Sequence, residues 1–265
     1  MPQIASFVED CHNIRQRVPV IHNITNYVAM NFTANALLAA GASPVMSSEP
    51  AEIEEITASS DALVINLGCI EERQITAMER AAEVACRLGI PWVIDPVGAG
   101  LSGLRSRTAL HLIDAFHPSA VRCNASEIIS LCGASSSFRG VGSGDEVESA
   151  VEYAASFASE HGTVVSVSGA RDIITDGQTV VRINNGSEMM PCVTAMGCTA
   201  TALTGAFLAV DPDFLQAASN AMALMGIAGE KASLMSHGPG SLALNFIDTL
   251  YGLNPEEDSK LIRYE

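Results

Sequence analysis

The sequence predicts an α/β fold with a mainly parallel central sheet and helices on both faces. Two patterns point to it. Short, continuous apolar runs rich in β-branched residues recur through the first two thirds of the chain, as parallel strands buried on both faces should. Stretches of helical periodicity separate them, which is the alternation of layered α/β architecture. A third observation agrees: 48% of the 265 residues are hydrophobic and only 17% are charged, so the interior is large.

Taken in order, the runs predict strands over residues 18–24, 43–46, 62–67, 91–97, 120–124 and 163–168. Between the third and fourth, Ile75, Met78, Ala82 and Ala85 recur at helical spacing and predict a helix over 71–88. Residues 172–184 read as a hairpin, with strands at 173–174 and 179–183 around Asp176-Gly177. The remainder is helical, over roughly 197–210, 213–234 and 241–253, with Gly238, Pro239 and Gly240 breaking the last two apart. No linker, repeat or low-complexity tract divides the chain, so a single domain over 1–265 is expected.

The composition excludes several roles. A net charge of −16 argues against nucleic-acid binding. With only Lys231 and Lys260 as lysines, an enzyme handling polyphosphate would need a local arginine and a divalent cation. Seven cysteines, an odd number without a C-x-x-C pair, suggest reduced and mostly buried thiols in a cytoplasmic protein. The N-terminus shows no signal pattern. Residues 189–210 carry no charge, but Pro191, Gly197, Gly205 and four threonines make them a loop feeding a buried helix rather than a membrane span. A positive mean hydropathy of +0.26 suggests apolar surface covered by partner subunits.

In open α/β sheets ligands collect at the carboxyl ends of the strands. Five such ends are unusual here: 22–26 (HNITN), 95–100 (DPVGAG), 122–127 (RCNASE), 168–169 (SG) and 194–198 (TAMGC). Asp95 is either a turn carboxylate before Pro96 or a Mg²⁺ ligand. Glu127, three residues after Asn124, is either a capping-box glutamate or a second metal-organising carboxylate. At neighbouring strand ends the two together favour the metal. Arg122 inside an apolar strand is either salt-bridged or a phosphate clamp, and the scarcity of basic residues favours the clamp.

Residues 194–201 combine glycine, small residues and hydroxyls ahead of a helix, which suits an anion at its N-terminus. No G-x-x-x-x-G-K-[ST] occurs, so this is not a P-loop. The Gly140, Gly142, Gly144 run lacks a dinucleotide-binding context. His22, Asn23 and Asn26 together suggest a polar pocket for a small ring, although His22 alone is more often structural. The other histidines lack ligand spacing.

These residues resemble the hydroxyethylthiazole kinase family of the ribokinase-like superfamily. The matching segments are HNITN (22–26), SPVMS (43–47), DPVGAG (95–100), RCNASE (122–127), SGARD (168–172) and MGCTATAL (196–203), spread over essentially the whole chain. The resemblance implies ATP- and Mg²⁺-dependent phosphorylation of the primary alcohol of 4-methyl-5-(2-hydroxyethyl)thiazole. It implies that Arg122 and Ser168 contact ATP and that Asp95 and Glu127 organise Mg²⁺. Asn26, Met46, Ala195 and Gly197 would hold the thiazole, with Cys198 beside the reacting hydroxyl. It further implies a homotrimer with the thiazole between two subunits.

Two departures stand out: Ala195 where the family has glycine, and Ser168 for a more usual threonine. Near the start of a helix, Cys198 is expected to feel the positive end of the dipole, which lowers its pKa. It then acts as proton acceptor or merely packs. Alternative readings are a sister kinase of a pyrimidine or pyridoxal alcohol, and a non-catalytic thiazole-binding module.

Overall fold

The computed structural model describes residues 4–134 and 144–265. Its centre is an eight-stranded sheet in the order β2-β1-β3-β4-β5-β6-β7-β8. The strands are β1 (Val20–Ile24), β2 (Ser43–Met46), β3 (Ala62–Asn66), β4 (Trp92–Asp95), β5 (Ala120–Asn124), β6 (Val164–Ser168), β7 (Asp172–Thr175) and β8 (Val180–Ile183). The pairs among β1 to β6 are parallel, and β7 and β8 add an antiparallel hairpin at one edge. Each expected strand is present, and the ends differ from expectation by a few residues at most. Strand β4 stops at Asp95 rather than continuing to 97, because Pro96 has no N–H to donate and opens a turn.

The helices are α1 (Ile4–Arg17), α2 (Met30–Ala40), α3 (Ile53–Ala58), α4 (Glu72–Leu88), α5 (Gly103–Phe116), α6 (Ala125–Leu131), α7 (Gly144–Ser149), α8 (Val151–His161), α9 (Met196–Leu208), α10 (Phe214–Leu234), α11 (Pro239–Gly252) and α12 (Pro255–Asp258). Pro239 begins α11 instead of only separating it from α10, since a proline at the first helical position sacrifices no bond. The glycine run from Gly140 lies outside the described residues up to Gly144, which opens α7.

Strand side chains alternate between two cores. Ile21, Ala62, Val64, Val93, Ala120 and Val164 join α1, α2, α9, α10 and α11 in one core. Leu63, Ile65, Ile94, Val121, Cys123, Val165 and Val167 join α3 to α8 in the other. A period of two therefore assigns Asn66, Asp95, Arg122 and Ser166 to the α9 side of the sheet. Helix α9 itself is buried on almost every side, which explains its uncharged sequence. No described helix is long and apolar enough to cross a membrane.

Strand β1 leads to β2 on one side of the sheet, and β3 takes the other side. The carboxyl ends of β1 and β3 thus flank a topological switch point, where open α/β sheets form their ligand crevice.

Candidate active site

At the carboxyl end of β3, Asn66 is in register with Asp95 on β4. Its Nδ2 donates to Asp95 Oδ2 at 2.7 Å, and Thr201 Oγ1 on α9 donates to the same oxygen at 2.8 Å. Asn66 Oδ1 accepts from Asn26 Nδ2 at 2.8 Å and from the Gly68 N–H at 2.9 Å. The second hydrogen of Asn26 Nδ2 reaches Cys198 Sγ at 3.3 Å. A continuous polar line therefore runs from the Cys198 thiol through Asn26 and Asn66 to Asp95.

One strand further, Arg122 is only 8% exposed, and its Nε has no hydrogen-bond partner. None of the ion pairs among the described residues involves it. The structural salt bridge weighed for Arg122 is therefore not formed, and a nearly buried guanidinium without a direct partner is costly. It lies against the first turn of α9: a Cβ on Gly197 would come within 2.9 Å of Arg122 Nη1. No side chain caps that turn, and its leading residue, Ala195, sits in the left-handed region at φ 71°. Alanine there carries strain that a glycine would not. The result is an uncapped helix N-terminus, with free N–H groups beside a free guanidinium. Such a pair suits a phosphate group.

Glu127 carries both features weighed for it. It completes a capping box with Asn124, and its two oxygens accept from the N–H groups of Gly98 and Asn124, each at 2.9 Å. Burial, and then repulsion from Asp95, push its carboxyl up to about 7. Burial likewise raises Asp95, against the opposing pull of Arg122 and the Thr201 and Asn66 donors. A cation between the two carboxylates would remove their repulsion, and Asp95 Oδ1 accepts no protein hydrogen bond. No described group of three or more His, Cys, Asp or Glu residues could cage a metal. This arrangement fits Mg²⁺, which takes one or two carboxylates and completes its shell with phosphate and water.

Three expectations need correction. Burial, and then the charge of Asp95, raise the Cys198 thiol to about 11, outweighing Asn26, Asn66 and Arg122, so its pKa is not lowered by the helix start. His22 and Asn23 do not form a pocket with Asn26. The His22 ring bonds Thr57 Oγ1 and the Ser47 carbonyl, while Asn23 Nδ2 donates to its own strand at Ile21 O. Successive strand residues face opposite sides of the sheet, so His22 and Asn23 cannot line one pocket. The cysteines are free but not mostly buried: Cys11 and Cys123 are buried, whereas Cys86, Cys132 and Cys192 are exposed near helix ends.

Met46 ends the edge strand β2, half-buried and in register with Asn23. Ser168 ends β6 beside Asn124, its Oγ 3.4 Å from the Cys123 carbonyl. Asn66 and Arg105 had no signal in the sequence, and Thr201, the last hydroxyl of the 194–201 segment, turns to Asp95. The Arg105 guanidinium donates to the carbonyls of Leu67, Gly68 and Val97, fastening the turn after β3 to the turn after β4. Nothing in an L-R-S-R helix start foretells that contact.

The mainly parallel sheet with helices on both faces is a ribokinase-like fold. The fold matches a ribokinase-like superfamily protein from Enterococcus faecalis with a TM-score of 0.70 at 11% identity over 94% of each chain. Residues 11–256 match the model of the hydroxyethylthiazole kinase family, so the chain belongs to that family. It is 48% identical to the hydroxyethylthiazole kinase of Brachyspira hyodysenteriae over 250 residues, 94% of either protein. It also superimposes on the hydroxyethylthiazole kinase structure from Pyrococcus horikoshii with a TM-score of 0.90, at 39% identity over 98% of both chains.

Proposed function

We propose that this chain transfers the γ-phosphoryl group of ATP to the primary alcohol of 4-methyl-5-(2-hydroxyethyl)thiazole in a Mg²⁺-dependent reaction. The observation that carries this reading is the unpaired, nearly buried Arg122 beside the uncapped first turn of α9. Family membership supplies the acceptor.

In this reading Arg122, the amides of α9 and Ser168 hold the polyphosphate. Asp95 and Glu127 hold Mg²⁺, which supplies charge neutralisation when bound. Asn26, Met46 and the 195–197 segment hold the thiazole at the switch point. The alcohol oxygen forms a bond to the γ-phosphorus, the bond to the β–γ bridging oxygen breaks, and ADP leaves. The alcohol proton leaves late, to a phosphoryl oxygen and on to solvent, because the transition state is loose. A thiol protonated at neutral pH, as Cys198 is, is compatible with such timing. Most of the rate then comes from positioning and charge stabilisation.

Two hydrophobic cores on the opposite faces of one continuous sheet support a single domain. Tyr27 and Val28, next to Asn26, are 60% and 64% exposed, which supports a pocket completed by a second copy within a trimer. Light scattering that returns a fully active monomer contradicts that assembly. The activity itself is tested by ADP release with the thiazole alcohol, ATP and Mg²⁺. Release that depends on all three is expected, and none with the thiazole present rejects the reading.

A further inference from the structure

The amide line between Cys198 and Asp95 has a fixed direction. The Ala29 N–H donates to Asn26 Oδ1 at 3.0 Å, and the Gly68 N–H donates to Asn66 Oδ1 at 2.9 Å. A backbone N–H can only donate, so each amide must present its oxygen to the backbone. Asn26 then turns both hydrogens of Nδ2 toward Asn66 Oδ1 and Cys198 Sγ. Asn66 turns its Nδ2 toward Asp95. Neither amide can flip without setting donor against donor.

Every group in this line is buried or half-buried, so an unmatched partner there is expensive. Residue 68 is part of the device. A Cβ at Gly68 would stand 2.5 Å from Asn26 Nδ2, so a larger residue would displace the amide.

We infer that Asn66 is a positioning residue that aligns the acceptor-alcohol side of the site with its phosphate side. Held between two strands at the switch point, it directs a donor at the Asp95 carboxylate and anchors Asn26, which in turn donates to Cys198. Asp95 and Cys198 are thereby both presented as acceptors, in a fixed relation to each other. The inference rests on the kinase reading above, and it adds a residue that touches neither reactant.

Steady-state kinetics on Asn66→Ala, Asn66→Asp and Gly68→Ala test it, with melting curves to measure the folded fraction. Asn66→Asp keeps the size and the acceptor for Gly68 but sets an oxygen against Asp95 Oδ2. Gly68→Ala displaces the Asn26 amide without replacing any polar residue of the line, and it guards against a misfolded Asn66 variant. In each, kcat per folded molecule should fall about 10²-fold, the scale of one lost preorganised donor. The KM for ATP should stay within about twofold, because Arg122 and the α9 start are untouched. A purely structural residue would lower activity only in step with the folded fraction. Parental kcat per folded molecule in Asn66→Asp and Gly68→Ala, from a parent that phosphorylates the thiazole, overturns the inference. A parent that transfers no phosphate overturns the functional reading on which it rests.

Discussion

Arg122 Nη1 occupies the space that a side chain at Gly197 would need: a Cβ there would be 2.9 Å away. The glycine in the first turn of α9 thus admits a guanidinium to the helix N-terminus, an arrangement that suits an anion. Gly197→Ala should push Arg122 out and reduce kcat/KM for ATP by about 10²-fold, comparable to losing one preorganised donor. Arg122→Lys should not substitute, because a point charge cannot reproduce the planar fork. Kinetics with ATP varied at saturating thiazole check both, and a parental Gly197→Ala contradicts the arrangement.

Asp95→Asn and Glu127→Gln should each suppress activity while keeping the fold. In Glu127→Gln, one of the N–H groups of Gly98 and Asn124 loses an oxygen acceptor, a loss of about 1 kcal/mol typical of a weakened cap. Activity measured across a Mg²⁺ titration, alongside melting curves, separates the roles. Variants that match the parent at every Mg²⁺ concentration contradict the metal assignment, and variants that unfold leave only the capping role.

Cys198 should behave as a protonated thiol at neutral pH. At pH 8, iodoacetamide should modify the exposed Cys86, Cys132 and Cys192 well before Cys198, as peptide mass spectrometry would show. Cys198→Ala leaves Asn26 Nδ2 without its sulfur acceptor and should lose up to about 10²-fold in kcat, the scale of a misplaced reacting group. Rapid, selective alkylation of Cys198 contradicts the raised pKa, and an unaffected alanine variant reduces the residue to packing.

Asp172 gives the protein a dependence on pH. Burial pushes its carboxyl up to about 7, against the opposing pull of the Gly169 N–H and of Arg122. Unfolded, it titrates near 4, so between about pH 4 and 7 the folded state binds more protons and stability falls as pH rises. Asp172→Asn keeps an acceptor for the Gly169 N–H but cannot ionise. Its melting temperature should decline less than the parent's across that window. Parallel curves for the two proteins contradict the assignment.

The strands were legible because each is a short apolar run with few competing signals, and β2 and β5 carry the expected bounds. Arg122 stood out in the sequence because a charge inside an apolar run is costly, whereas Asp95 also read as a turn carboxylate before Pro96 and stood out only together with Glu127 at the neighbouring strand end. Asn66 was not: a single asparagine closing an A-L-V-I-N strand looks like an ordinary strand end, and its role exists only once β1 and β4 flank β3. Cys198 was misjudged for a related reason. Its place near a helix start is local information, whereas the burial and the Asp95 charge that dominate its thiol come from the tertiary fold.

The most direct measurement offers the chain three alcohols in one reaction with ATP and Mg²⁺: the hydroxyethylthiazole, a hydroxymethylpyrimidine and pyridoxal. The phosphate esters are resolved by mass. The thiazole phosphate should dominate at early time points and vanish in Arg122→Ala. Preferential phosphorylation of the pyrimidine or of pyridoxal, or no phosphate ester at all, would contradict the account.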